Sequence, residues 1–321
     1  MITLDSIQKR WQEIQPLVDR TPLIALPVQA NEGGQRCWLK LENFQRTGSF
    51  KARGAASKLI HLQKSSPDKT GVITGSAGNH GLGLSAAASA LGMAATIVVP
   101  RNAAAPKVAA LQRYPIELIL QGADYDAAEE LAREIARQRG LEFVHAFSDP
   151  EVITGQASLG LEILEQSAAG GINIDTLIVP VGGGGLIAGV AAAVKQSRPQ
   201  IRVLGVQSAT SPAMFQALAQ GRVVETPIGE TWADGLAGRF VTDLTLEYAR
   251  QYVDQVFLVS EEAIRRAMQV LIRTTGLVVE ASAAASLALV LDQPAVCGSE
   301  TACILTGRNV DLQLVRQLIS D

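Results

Sequence analysis

The chain predicts an α/β protein built on parallel sheets, and three observations carry that expectation. Short apolar runs rich in Val, Ile and Leu alternate with longer stretches of helical character. Several runs end in glycine-rich or polar loops that open directly onto a helix. The length, 321 residues with 47% hydrophobic and 18% charged, suffices for two domains with ordinary cores.

The elements follow in order. Residues 6–18 place Ile7, Trp11, Ile14 and Leu17 or Val18 on one face of an amphipathic helix, and Pro22 follows its end. Residues 37–42 read as a strand, 43–48 as a loop and 49–63 as a helix. Residues 71–74 are β-rich, and after the loop 75–81 a helix of small residues runs to about Leu91. Strands at 94–99, 116–120 and 143–144 alternate with helices at 107–113 and 125–139. A helix at 159–166 precedes a buried strand at 176–181, and a helix at 186–195 precedes a strand at 202–206. Helices at 211–221 and 243–250, a strand at 256–259 and a helix capped by Ser260 come next. A helix at 279–291 and a strand at 303–306 complete the series.

Composition excludes several classes. Net charge is -3 with no run of like charges, so no nucleic-acid footprint exists. Cys37, Cys297 and Cys303 are scattered and form no C-x-x-C pair, so neither a disulfide frame nor a zinc site is signalled. A reducing cytoplasm is the expected location. Residues 1–5 lack the basic and apolar regions of a secretory leader. The uncharged stretches 70–100 and 176–194 are broken by glycine or proline and read as strand, loop and helix, so no membrane association is expected.

The chemistry centres on Thr47-Gly48-Ser49-Phe50-Lys51. Read alone, Lys51 suits a surface position in the first turn of a helix. Among small and apolar neighbours it also suits a dry pocket, where desolvation lowers a lysine's pKa. A neutral amine can form an imine with a carbonyl.

Three loops at strand ends give that lysine company. Gly182, Gly183, Gly184 and Gly185 lie between a strand and a helix, where free N–H groups and the helix dipole suit a phosphate. Gly185-Leu186-Ile187 lacks the Lys-Ser/Thr of a Walker loop. Gly183, Gly185 and Ala188 fit a dinucleotide fingerprint, but Gln207 and Ser208 stand where its ribose-binding acid belongs. A phosphate monoester therefore fits better than NAD, and an NAD-dependent oxidoreductase is the alternative from another class. Ser76-Ala77-Gly78-Asn79-His80 is a second strand-to-helix turn, an anion nest or a helix cap. Thr306-Gly307-Arg308-Asn309 places a hydroxyl at a third strand's end. An imine-forming lysine, a phosphate cup, an asparagine and a hydroxyl together match the needs of pyridoxal 5′-phosphate.

These motifs, in register from about Thr21 to Leu314, resemble the threonine/serine dehydratase and serine racemase family of fold-type II pyridoxal-phosphate enzymes. The resemblance implies two open, twisted, mostly parallel-sheet domains with helices on both faces, like the tryptophan synthase β chain. Residues 49–147 would form the small domain, and 1–48 plus 148–321 the large one. Lys51 would be the Schiff-base lysine, near Phe50. Asn79 would meet the ring 3′-oxygen, Gly182 to Gly185 the phosphate, Thr306 the pyridine nitrogen, and Glu280 would lie near the ring. Ser76, Ala77, Gly78, Asn79 and His80 would bind the substrate carboxylate, with the His80 side chain read as structural. The implied reaction is β-elimination from L-threonine or L-serine, giving 2-oxobutanoate or pyruvate and ammonia.

Departures from the family pattern refine this. Ala77 stands where the racemases carry a serine, their second acid/base, so racemisation ranks below dehydration. Gln207 and Ala213 stand where some members bind a divalent cation, so no metal is expected. Arg308 replaces a small residue, either to meet an acidic substrate such as 3-hydroxyaspartate or to form a structural salt bridge. A catalytically silent relative is the remaining alternative. The end at Asp321 leaves no room for a regulatory domain, so isoleucine feedback is not expected. The resemblance also implies a homo-oligomer, dimer or tetramer.

Overall fold

In the computed structural model, which describes residues 1–27 and 34–320, the apolar runs enter two sheets. The first half of the chain forms α1 (Leu4–Ile14), β1 (Leu23–Ala25), β2 (Arg36–Lys40), α2 (Lys51–Ser65), β3 (Gly71–Gly75), α3 (Asn79–Leu91), β4 (Ala94–Val99), α4 (Ala105–Leu111), β5 (Glu117–Leu120), α5 (Tyr125–Arg139), β6 (Glu142–Phe143) and α6 (Pro150–Ala169). The second half forms β7 (Thr176–Pro180), α7 (Gly185–Ser197), β8 (Arg202–Ser208), α8 (Ala213–Gln220), α9 (Asp243–Tyr252), β9 (Gln255–Val259), α10 (Glu261–Thr275), α11 (Ala281–Asp292), β10 (Glu300–Ile304) and α12 (Leu312–Ser320). No helix of the described residues is long and apolar enough to cross a membrane.

The six-stranded sheet has the order β1-β2-β10-β7-β8-β9, parallel except for β1 against β2. The four-stranded sheet, order β5-β4-β3-β6, is parallel throughout. Every strand of the smaller sheet lies between Gly71 and Phe143. In each sheet the strand order reverses at one place, and ligands of open α/β sheets bind beyond the carboxyl ends of strands there. In the larger sheet that place lies between β7 and β10, which lead into Gly182–Gly185 and Thr306–Asn309. In the smaller it lies between β3 and β6, which lead into Ser76–Asn79 and Val144–Phe147.

Helix α6 runs for 20 residues, beginning well before the helix expected at 159–166. Asp149 caps it, accepting from the N–H groups of Glu151 and Val152, and Pro150 follows at the first turn. Glycine lowers helix propensity, but packing overrides that preference here. A Cβ on Gly155 would lie 2.4 Å from the Arg53 carbonyl, and one on Gly189 of α7 would lie 2.4 Å from the Ile153 carbonyl. Small residues thus let α2, α6 and α7 approach backbone to backbone. Two elements had no counterpart in the sequence reading: β1, a three-residue strand, and α12. Strand β10 ends at Ile304, so Thr306 lies in the loop beyond it.

A buried ionic cluster anchors the start of α2. Arg53 is fully buried and donates Nε to Glu42 Oε2 at 2.8 Å, with Nη2 reaching Glu42 Oε1 and Glu162 Oε2 at 2.8 Å each. Lys40 donates to Glu162 Oε1 at 2.5 Å, to the Thr21 carbonyl at 2.6 Å and to Gln166 Oε1 at 2.8 Å. Thr21 donates its hydroxyl to Glu42 at 2.6 Å. Burial alone would raise the Glu42 carboxyl, but the Arg53 guanidinium holds it below its ordinary value. This cluster ties α2 to β2 and α6, two residues from Lys51.

Candidate active site

Lys51 is delivered to the cleft by a short antiparallel contact between two loops. The Phe50 N–H donates to the Thr306 carbonyl at 3.1 Å, Ser49 bridges Gly307, and the Arg308 N–H donates to the Gly48 carbonyl at 2.9 Å. Thr47 takes a left-handed backbone, with φ of 63°, to make the turn. The Lys51 ammonium lies 5.2 Å from the centre of the Phe50 ring and donates to the Ala146 carbonyl at 2.8 Å. Burial pushes its pKa down to about 8, with the Glu280 carboxylate opposing that shift.

The glycine loop faces the same cleft. Gly184 has φ of 93° and precedes the first turn of α7 with no side-chain cap. Among the described residues, no protein acceptor takes the N–H groups from Gly182 to Ile187. Consecutive free N–H groups at a helix N-terminus make an anion-binding cup. The cup is packed from behind, since a Cβ on Gly183 would lie 2.5 Å from the Phe147 ring. Gly183→Ala is therefore expected to displace Phe147, destabilise the fold by about 1–3 kcal/mol and weaken phosphate binding. Thermal melting and phosphate titration of the variant check this.

Ser76 is buried and its Oγ accepts from the Gly78 N–H at 3.3 Å, which shapes the second loop. Asn79 starts α3 and donates its amide to both oxygens of Glu280, at 2.9 and 3.0 Å. Glu280 precedes α11 yet does not cap it; its carboxylate turns to Asn79 and accepts the Asn309 N–H at 2.8 Å. Burial pushes the Glu280 carboxyl up, opposed by the Asn79 and Asn309 donors. Asn309 also donates its side chain to Asn79 Oδ1 at 2.7 Å and to the Thr47 carbonyl at 2.8 Å. The amide polarity of Asn79 is thus fixed, with its Nδ2 as donor. Thr306 is buried, and its hydroxyl has no protein partner among the described residues.

The structure therefore brings Lys51, Phe50, Asn79, Glu280, Thr306 and the two loops to one cleft. The His80 side chain serves the fold: its buried ring faces the Val144 carbonyl at 3.0 Å, and burial lowers its pKa to about 3. Arg308 makes no salt bridge among the described residues; its guanidinium lies 5.8 Å from the ring centre of exposed Phe44. Gln207 donates to the Val181 carbonyl at 3.2 Å and accepts the Phe215 N–H at 2.9 Å, so its amide is satisfied within the protein. The sequence reading missed Ala146 and Phe147. Ala146 contributes only a carbonyl, which no side chain announces, and Phe147 reads as ordinary core.

Comparison with known proteins points the same way. The model of the family described as pyridoxal-phosphate dependent enzyme matches residues 14–307. The L-threonine ammonia-lyase of Thermotoga maritima is 39% identical over 320 residues, covering 100% of this chain and 79% of that protein. The crystal structure of the threonine deaminase from T.th. superposes with a TM-score of 0.91 at 36% identity, covering 97% of this chain and 99% of the other. Maize serine racemase gives a TM-score of 0.91 at 34% identity, covering 99% and 97%. With its fold, its cleft and a match over most of its length, the chain belongs to the pyridoxal-phosphate dependent enzyme family.

Proposed function

We propose that the protein is a pyridoxal-phosphate-dependent ammonia-lyase that dehydrates L-threonine or L-serine, releasing 2-oxobutanoate or pyruvate and ammonia. One observation carries this reading: a half-buried lysine of lowered pKa lies in the same cleft as a cup of unclaimed N–H groups. The residues present fit the coenzyme. The Lys51 amine suits its aldehyde, the cup from Gly182 to Gly185 its phosphate, and the free hydroxyl of Thr306 its ring nitrogen. The fixed Nδ2 donor of Asn79 suits its ring oxygen, with Glu280 beside it. The division into 49–147 and the remainder belongs to the same reading.

When bound, pyridoxal 5′-phosphate supplies an electron sink for the electrons of a broken Cα–H bond. The protein supplies binding, orientation and removal of the Cα proton. The N–H groups of Ala77 and Asn79, which no protein acceptor takes among the described residues, would bind the substrate carboxylate and set the orientation of Cα. The Lys51 amine, when free, would take the Cα proton as general base. Burial at this position favours the uncharged form of the amine. Ala77 offers no proton on the opposite side, which favours elimination over the racemisation named for the maize neighbour. Specificity for a 3-hydroxy amino acid with a second carboxylate, such as 3-hydroxyaspartate, gains no support from Arg308, which lies over Phe44.

Two outcomes are expected. The loaded protein should release 2-keto acid and ammonia in equal amounts from L-threonine or L-serine. Absence of keto acid from both would sink the reading, and release from threo-3-hydroxyaspartate alone would keep the elimination but overturn the substrate. The rate of coenzyme loading should also rise with pH through about 8, because only the uncharged amine of Lys51 attacks an aldehyde. Stopped-flow absorbance at several pH values checks the direction; a flat profile would contradict the assignment to Lys51.

A further inference from the structure

The lysine and the glycine cup are held by one short crossing, and a histidine outside the proposed chemistry organises it. After β6, the chain passes through Val144, His145, Ala146, Phe147 and Ser148 before α6 begins. Ala146 gives its carbonyl to the Lys51 amine at 2.8 Å. Phe147 backs the glycine loop: a Cβ on Gly185 would lie 2.8 Å from its Cα, Cβ and carbonyl oxygen. Ser148 donates its hydroxyl to Thr242 at 2.9 Å, at the cap of α9.

His145 closes this crossing on itself. Its Nδ1 accepts the Phe147 N–H at 3.2 Å and the Ser148 N–H at 2.9 Å. The ring packs edge-to-face on the Phe147 ring at 4.5 Å between centres. An Nδ1 that accepts twice carries no proton, so the hydrogen lies on Nε2, which faces Glu129 at 4.0 Å. Burial, the largest cause, lowers the pKa of the ring to about 4 and keeps it an acceptor near neutral pH. The pattern imitates an Asx turn, in which a side-chain acceptor satisfies N–H groups two and three residues on.

We propose that His145 is a positioning residue of the coenzyme site, whose Nδ1 holds the crossing so that Ala146 meets Lys51 while Phe147 seats the glycine loop. The inference rests on the function proposed above. It assigns a reason for a histidine here: the crossing needs a side-chain acceptor of this reach, and an apolar residue of similar size cannot supply it.

Two variants and one direct measurement test it. His145→Leu keeps bulk and removes the acceptor, whereas His145→Asn keeps an acceptor within reach of the same N–H groups. Coenzyme retention on dilution of each loaded protein gives its Kd, and circular dichroism melting reports folding. His145→Leu should bind pyridoxal 5′-phosphate at least about tenfold more weakly, and His145→Asn should return to within about threefold of the parent. Equal binding by His145→Leu, or no recovery in a folded His145→Asn, would overturn the proposal. Nitrogen-15 NMR of the parent needs no variant: it should show the Nε2–H tautomer, and the Nδ1–H tautomer would overturn the proposal. Failure of the parent itself to bind coenzyme would overturn the functional reading along with it.

Discussion

Lys51→Met should lower turnover of the loaded protein by at least about 10³-fold, because in the proposed function one side chain both anchors the coenzyme and moves the Cα proton. The substitution keeps length and removes the amine. It should not unfold the protein. The parent holds an ammonium in a site that favours the neutral form, with a pKa of about 8 in place of 10.5. The unfolded chain therefore binds more protons than the folded one between those values. The cost of burying Lys51 is fully present below about 8 and is relieved as pH rises toward 10.5. Without coenzyme, Lys51→Met should be more stable than the parent at pH 7, by about 3 kcal/mol at most, and the gap should close as pH rises through that window. Denaturant unfolding at several pH values separates this from general damage. Loss of turnover with loss of stability at every pH would argue for a structural role instead.

The second large effect lies outside the cleft. Arg53→Met should destabilise the protein by about 3–5 kcal/mol, because it strands buried carboxylates. Glu162 would keep Lys40 as a partner, but Glu42 would keep only the Thr21 hydroxyl. The pH dependence gives the signature. In the parent, the depressed Glu42 carboxyl contributes stability above its unfolded value, and that contribution is lost as pH falls through the folded value. In Arg53→Met the same carboxyl, buried and unpaired, should titrate above its ordinary value. The stability gap between parent and variant should therefore narrow as pH falls from neutral through the carboxylate range. Adding Glu42→Gln to Arg53→Met should recover part of the loss, since it removes the stranded charge. A constant gap, or no recovery in the double variant, would place the loss in packing around Trp11, whose ring lies 5.5 Å from the Arg53 guanidinium carbon.

What the sequence disclosed and what it hid have physical causes. The loops at Ser76, Gly182 and Thr306 were legible because each joins a strong strand pattern to residues that packing alone does not require. The parallel sheets were legible from the apolar runs, which are buried along their whole length in β3 and β7. The first half of α6 was not, because glycine lowers helix propensity and its reason here is a close approach to α2 and α7. Strand β1 was too short to show alternation. Arg308 could not be placed, since its stacking on Phe44 depends on a contact between loops far apart in the chain. The crossing at His145 was hidden most fully: its contribution is a carbonyl, a ring face and an acceptor nitrogen, none of which has a periodic signature.

Reduction of the loaded protein with borohydride, followed by peptide mapping, tests the central claim most directly. The coenzyme should be found covalently fixed to the peptide that contains Lys51, and Lys51→Met should retain none. Its recovery on another lysine, or on no peptide, would contradict the account.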